Sequence, residues 1–342
     1  MKPTFLFALL LFYGISMGQN SIPKKNIKQY NHWINLAELA VCDQNFENAS
    51  IYYDEAFKYH RPYAQDAFFA FRVNYEHTRD TSRILDCVHY LVLLNNKIDW
   101  IIEDSINDPF FYQHTKNIYD TTPKEIIPEL NQEINYILKS DQDAVTKLFD
   151  SADEAYKYID SVMRDNLKRI KNIYRKYPRV DDYTVGRSIT SLNIPFNHFY
   201  KNLRLNPKNS LLKKEVKNGN YNVQKFIALV DLCFVFSPKA DPYKTTIYGT
   251  NLNWGINDTY FSLVPPELKK VQKQRRKVLT DETWEDYEKK IKAISTNQID
   301  YYFYSPRISI TNDDTGDSQI ESLIRNIDEG QINGCYYHVD LE

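Results

Sequence analysis

Between Ala144 and Ile173 the apolar residues fall on one helical stripe: Ala144, Leu148, Ala152, Ala155, Ile159, Val162, Leu167, Ile170 and Ile173. Most steps are three or four residues, the spacing that places side chains on one face of a helix. A chain built this way buries its core between helices. Composition agrees, because only 9 glycines and 14 prolines interrupt 342 residues. The fold class read from the sequence is therefore mostly α.

A helix is expected to start at Ser140-Asp141, with Asp143 three residues after Ser140 as a capping signal, and to stop at Pro178. Shorter helices are expected from Lys124-Glu125, over Ile189–Phe196 with a break near Pro195, and over Ser210–Lys217, ending at Asn218-Gly219. Val223–Phe236 is almost wholly apolar and is expected to be buried. Glu282–Ile294 reads as a further helix. Toward the C-terminus the character changes. Tyr243–Thr250, Tyr301–Ile310 and Gly334–Val339 read as short strands, and Ser318–Ile327 as a helix between the last two.

The front of the chain carries a different signal. Trp33, Leu36, Ala37 and Ala40 fall at i, i+3, i+4 and i+7. A polar break follows at Asp43-Gln44-Asn45. Phe46, Ala49, Tyr53 and Ala56 resume the period, and Pro62 closes the unit. Small alanines let two antiparallel helices approach, and the rings fill the groove between them. Residues 33–62 thus resemble one tetratricopeptide repeat. A weaker unit is expected from Tyr63 to Leu94, and a third from Trp100 to Tyr119, interrupted at Pro109. A plain helical hairpin is the simpler alternative. The resemblance implies a surface for a protein or peptide partner along these N-terminal hairpins.

Residues 160–295 resemble an uncharacterised bacterial domain of unknown function. The residues that carry the likeness are Val185-Gly186, Asn197-His198 in place of Gln-His, Asp231 after Ala228-Leu229-Val230, Tyr248-Gly249-Thr250-Asn251 with Asn for a final Gln, and Arg275-Arg276. The likeness brings no activity with it. On their own terms, His198, Asp231, Tyr248, Thr250, Asn251, Arg275 and Arg276 are polar groups within packable segments. Asp231 stands in an apolar helix, where a lone charge is costly, so it needs a partner such as His198 or Arg276. A histidine held by an aspartate is the geometry of a general base, and an adjacent arginine grips phosphate or carboxylate. A hydrolase or transferase pocket is one reading of this cluster. A buried network that fixes the Tyr-Gly-Thr turn is the other.

The first 18 residues read as a cleavable signal peptide: Lys2, then the apolar run Phe5–Tyr13, then Gly14-Ile15-Ser16-Met17-Gly18. Export to the periplasm or beyond the cell is expected, with cleavage after Gly18 and no membrane span thereafter. The expected order is a signal peptide over 1–18, a disordered linker over 19–30 and helical hairpins over 31–122. A mainly helical domain over 123–295 and a small β/α tail over 296–342 follow.

The net charge of −2 leaves no bulk field for nucleic acid. The basic stretches Lys168–Lys176 and Lys269–Lys277 read as solvated helix faces. Twenty-seven tyrosines suit half-buried helix faces, with a sugar-binding surface as the alternative. Cys42, Cys87, Cys233 and Cys335 form no Cys-x-x-Cys pair, and no metal ligand set or cofactor motif is present, so neither a metal nor a cofactor is expected. Cys42 and Cys87 can pair in an oxidising compartment, or all four can serve as small buried hydrophobes. No recognised catalytic motif is complete. The expected function is a binding or scaffold module, with the hydrolase or transferase as the alternative.

Overall fold

The structure is a computed structural model. It describes residues 24–94, 98, 101, 103, 109–122, 125–186, 211–235, 248, 253–256, 259–265, 267–278, 280–296, 308–310, 321–322, 324–331 and 334–338. The expected signal peptide, the 187–210 stretch with His198, and residues 243–247 and 249–252 lie outside them.

The chain is mostly helical. Helix α1 (Lys24–Cys42) turns at Asp43-Gln44-Asn45 into α2 (Phe46–Phe57). The polar break is built as the sequence suggests. Gln44 takes the left-handed conformation with φ 55°, and the Asn45 side chain caps α2 by accepting from the Asn48 amide. Helix α3 (Ala64–Arg72) runs on as a π-helix to Thr78 before α4 (Thr81–Leu93). The Asn74 side chain holds that irregular turn, bonding the Ala70 carbonyl and accepting from Ser50 and Thr78. Residues 104–108, just before Pro109, lie outside the described residues. Helix α5 is described over Pro109–Thr121. Cys42 and Cys87 are free and buried in this front core. Burial pushes the Cys42 thiol up to about 12 and raises that of Cys87 as well. Neither should react with iodoacetamide in the native chain, whereas urea should expose both; rapid native labelling would contradict their placement.

The single helix expected from Ser140 to Pro178 is two helices. α6 (Pro128–Thr146) and α7 (Ala152–Lys176) form an antiparallel hairpin. Asn166 bonds Ser140 and the Ile137 carbonyl, while Arg169 reaches back to Glu133. Ser151 makes the break, capping α7 by accepting from the Glu154 amide. The apolar stripe continues in phase across it, which is why periodicity alone misses it. The expected start at Lys124-Glu125 also moves, to Pro128.

Helix α8 (Leu211–Asn218) stops at Gly219, and α9 (Val223–Val235) follows as an apolar helix, buried from Val223 to Asp231 apart from Gln224. Gly219 has φ +78°, and a Cβ placed there would lie 2.4 Å from Ile27 Cδ1 and 2.7 Å from His60 Nε2. Both conformation and space demand glycine. Gly219→Ala should cost about 2 kcal/mol or more in urea unfolding, and an unchanged midpoint would contradict this packing.

Among the described residues four short strands form one sheet in the order β3-β1-β2-β4: β1 (Asn253–Ile256), β2 (Thr259–Leu263), β3 (Ile308–Ile310) and β4 (Gly334–His338). β1 and β2 pair antiparallel with Ile256 opposite Thr259. β3 lies parallel to β1, and β4 antiparallel to β2. The two tail strands thus sit on opposite edges of a hairpin formed by residues before 295, and the sheet crosses the expected boundary there. A boundary at 295 would leave both edges of the β1–β2 hairpin unpaired.

Between β2 and β3 run α10 (Leu268–Lys277) and α11 (Trp284–Ser295). Helix α11 lies along α1 in the same direction. Asn35 bonds Asp286, Lys290 bonds Glu38, and Lys289 bonds Asp43. Ala293 and Ile294 accordingly belong to the same core as α1 to α5. A second core lies among α6, α7, α8 and α9.

Candidate functional site

The sequence cluster is partly assembled. Asp231, Tyr248 and Arg275 come together, and all three are buried. Both carboxylate oxygens of Asp231 accept from the Tyr248 amide, at 3.0 and 3.2 Å. Arg275 Nη1 donates to the Tyr248 carbonyl at 2.8 Å. The two charges therefore hold one backbone residue from both sides. Arg276, expected beside Asp231, is exposed on α10, and Arg275 takes the buried place instead. Adjacent helix residues point about 100° apart, so only one of the pair can face the core. His198, Thr250 and Asn251 lie outside the described residues.

Arg275 anchors a larger network that sequence reasoning missed. Its Nη2 donates to the Glu282 carboxylate and its Nε to the Glu282 carbonyl at 3.2 Å. Glu282 also accepts from Lys290 at 2.7 Å and from Gln224 at 3.0 Å. Lys290 reaches on to Glu38 of α1 at 2.5 Å. Two cations and two carboxylates are matched in an enclosed chain, and Gln224 satisfies a further lone pair. Burial lowers the Arg275 guanidinium to about 10, which leaves it charged at neutral pH. A sequence signal for this exists. Lys290 falls on the apolar face of α11 with Tyr287, Ile291 and Ile294, and Glu38 on that of α1 with Ile34, Ala37 and Val41. A charge on an apolar stripe must find a buried partner.

The network ends at a polar cleft. Helix α1 offers Asn31, Ile34, Asn35 and Glu38, which share one face by their spacing. The first turn of α3 adds Gln65 and Asp66. The start of α9 adds Asn222, Val223 and Gln224. The space inside the cleft open to a water-sized sphere is about 20 Å³, room for about one small polar group. Five of its nine lining side chains are carboxamides, which both donate and accept hydrogen bonds.

Asp66 is the most perturbed group in the cleft. Tyr30 Oη donates to its Oδ2 at 2.5 Å, and the Tyr63 amide donates to Tyr30 Oη at 3.2 Å. Burial is the main cause that raises its carboxyl to about 7, with Glu38 and Asp182 adding to it. The Tyr30 hydrogen bond and Lys225 act the other way. A carboxyl that titrates near neutrality in a cleft has the character of a functional group.

Asn35 carries the other irregularity. Its Nδ2 donates to Asp286 Oδ2 at 3.2 Å, and its buried Oδ1 has no hydrogen-bond partner among the described residues. Asp286 Oδ2, which also accepts from the Thr283 amide, orients the Asn35 amide.

Among the described residues no group of three or more His, Cys, Asp or Glu side chains is placed to hold a metal ion. Among them, too, no helix is long and apolar enough to cross a membrane. Compared with family models, curated proteins and solved structures, the chain matches none.

Proposed function

We propose that this chain is an exported helical binding module, acting in the cell envelope or outside the cell, whose polar ligand enters the cleft between α1, α3 and α9. One observation carries the reading: the cleft pairs a lining of carboxamides with a buried carboxyl raised to about 7, at the junction of the two helical cores. Carboxamides suit hydrophilic ligands such as a peptide backbone, since each can donate and accept at once. The cleft opens along α1, part of the hairpin whose residue pattern resembles a partner-binding repeat. Export rests on the basic, apolar and small-residue order of residues 1–18.

The enzyme reading, a hydrolase or transferase built on His198, Asp231 and Arg276, stands second. Asp231 is fully enclosed and already engaged with the Tyr248 backbone, and Arg276 is exposed.

The test is a thermal-shift titration of hydrophilic peptides and polyols against the wild-type chain and Gln65→Leu. Gln65 is half-buried at the rim. At least one class should raise the wild-type melting temperature by several degrees, and raise that of the variant less. Equal shifts in both chains, or none from any class, would count against the cleft.

A further inference from the structure

The cleft presents acceptors that no neighbouring group meets in full, and their kind narrows the ligand. Asn35 Oδ1 is the clearest case. The side chain is 7% exposed and lines the cleft, its amide is oriented by Asp286, and its oxygen has no hydrogen-bond partner among the described residues. A buried carbonyl oxygen without a donor is a costly arrangement unless a ligand or water completes it.

Glu38 and Asp66 lie in the same lining. Glu38 is already met by Lys290, and the Glu282–Arg275 pair balances the rest of that chain. Of the two lining carboxylates, Asp66 is the one with no ion-pair contact among the described residues. Lys225 acts on it from a distance, and the Tyr30 hydroxyl occupies Oδ2. The requirement is therefore one positive charge carrying several N–H donors. A divalent ion brings one charge too many and seeks six or more oxygens.

Resting on the cleft being the ligand site, we propose that it binds a primary ammonium group, with the Asp66 carboxylate and the Asn35 carbonyl oxygen as its acceptors. An ammonium has three donors in a compact head, one for each of these two oxygens and one for water. Its alkyl stem passes Ile34 and Val223, the two apolar side chains of the lining. A lysine side chain, a peptide amino terminus and a free alkylamine all carry this group.

The interaction needs ionised Asp66. Tyr30 on α1, Tyr63 before α3, Glu38 on α1, Lys225 on α9 and Asp182 are the titratable groups that act on it. Because burial raises that carboxyl to about 7, affinity should rise as pH goes from 6 to 8 and then level off.

Isothermal titration of the chain from residue 19 onward tests this, with n-butylamine, n-butanol, glycinamide, Nα-acetyl-lysine amide and calcium chloride as probes. n-Butylamine should bind at least tenfold more tightly than n-butanol, and Asp66→Asn should remove that preference. Asn35→Leu is the second variant and should weaken n-butylamine several-fold. The lysine and glycinamide arms separate a side-chain from an amino-terminal source. Equal binding of n-butylamine and n-butanol, binding of calcium alone, no binding of any amine, or an Asp66→Asn chain that keeps its preference would each overturn the proposal. If polyols or neutral peptides bind while amines do not, the cleft stands and the ammonium reading falls.

Discussion

Replacing Glu282 with alanine should lower the stability of the chain by about 3–5 kcal/mol. Glu282 is 1% exposed and is shared by Arg275, Lys290 and Gln224. Its removal leaves two cations enclosed, at 0% and 2% exposure, with too little counter-charge. Because Lys290 also holds Glu38, the loss reaches α1 and loosens the contact between the front hairpin and α11. Arg276→Ala is the matching control. That arginine is exposed on the same helix as Arg275, and its loss should fall within about 0.5 kcal/mol. Urea unfolding of both variants decides the matter. Similar small losses would mean that the network does not clamp α11 to α1.

Asp66→Asn should remove a pH dependence of stability. The folded chain holds the Asp66 proton more tightly than the unfolded chain does, with a carboxyl raised from 3.8 to about 7. This group therefore contributes most to stability below pH 4, and the contribution is lost as pH rises toward 7. A shift of that size corresponds to a ceiling of about 4 kcal/mol. Asparagine keeps an acceptor for Tyr30 and carries no charge to desolvate. The variant should gain about 2–4 kcal/mol relative to wild type between pH 4 and pH 8. Urea midpoints across that range give the answer. A constant difference between the two chains would show that Asp66 does not titrate there.

Much of the helical frame was legible in the sequence. The polar break at Asp43-Gln44-Asn45, the stop at Asn218-Gly219 and the apolar α9 were each readable, because turn chemistry and burial coincide locally there. The α6–α7 break was hidden because Ala144, Leu148 and Ala152 keep the helical phase through it. The contrary signal was Ser151 with Glu154 three residues later. The β1–β2 hairpin was missed although Asn257-Asp258 stands between its strands, since each strand is only four or five residues long. Tyr243–Thr250, expected as a strand, lies outside the described residues apart from Tyr248.

The site was less legible. Asp231, Tyr248 and Arg275 stood out as polar groups in packable segments, and they do converge. The cleft did not stand out, because it is assembled from residues far apart in the chain. Glu38 meets Lys290 across 252 positions, and Asn35 meets Asp286 across 251. Such pairings follow from the docking of α11 on α1, which no local pattern encodes. Charges on apolar stripes announce only that a partner is required.

The most direct test of the cleft is a nitrogen-edited amide spectrum of the chain from residue 19 onward, titrated with a hydrophilic peptide that bears a free amino terminus. The side-chain amides of Asn31, Asn35, Gln65, Asn222 and Gln224 should move together and saturate at one concentration. If they stay in place while resonances near exposed Leu148 and Tyr156 move, the ligand site lies on the α6–α7 hairpin and the cleft is not where this chain binds.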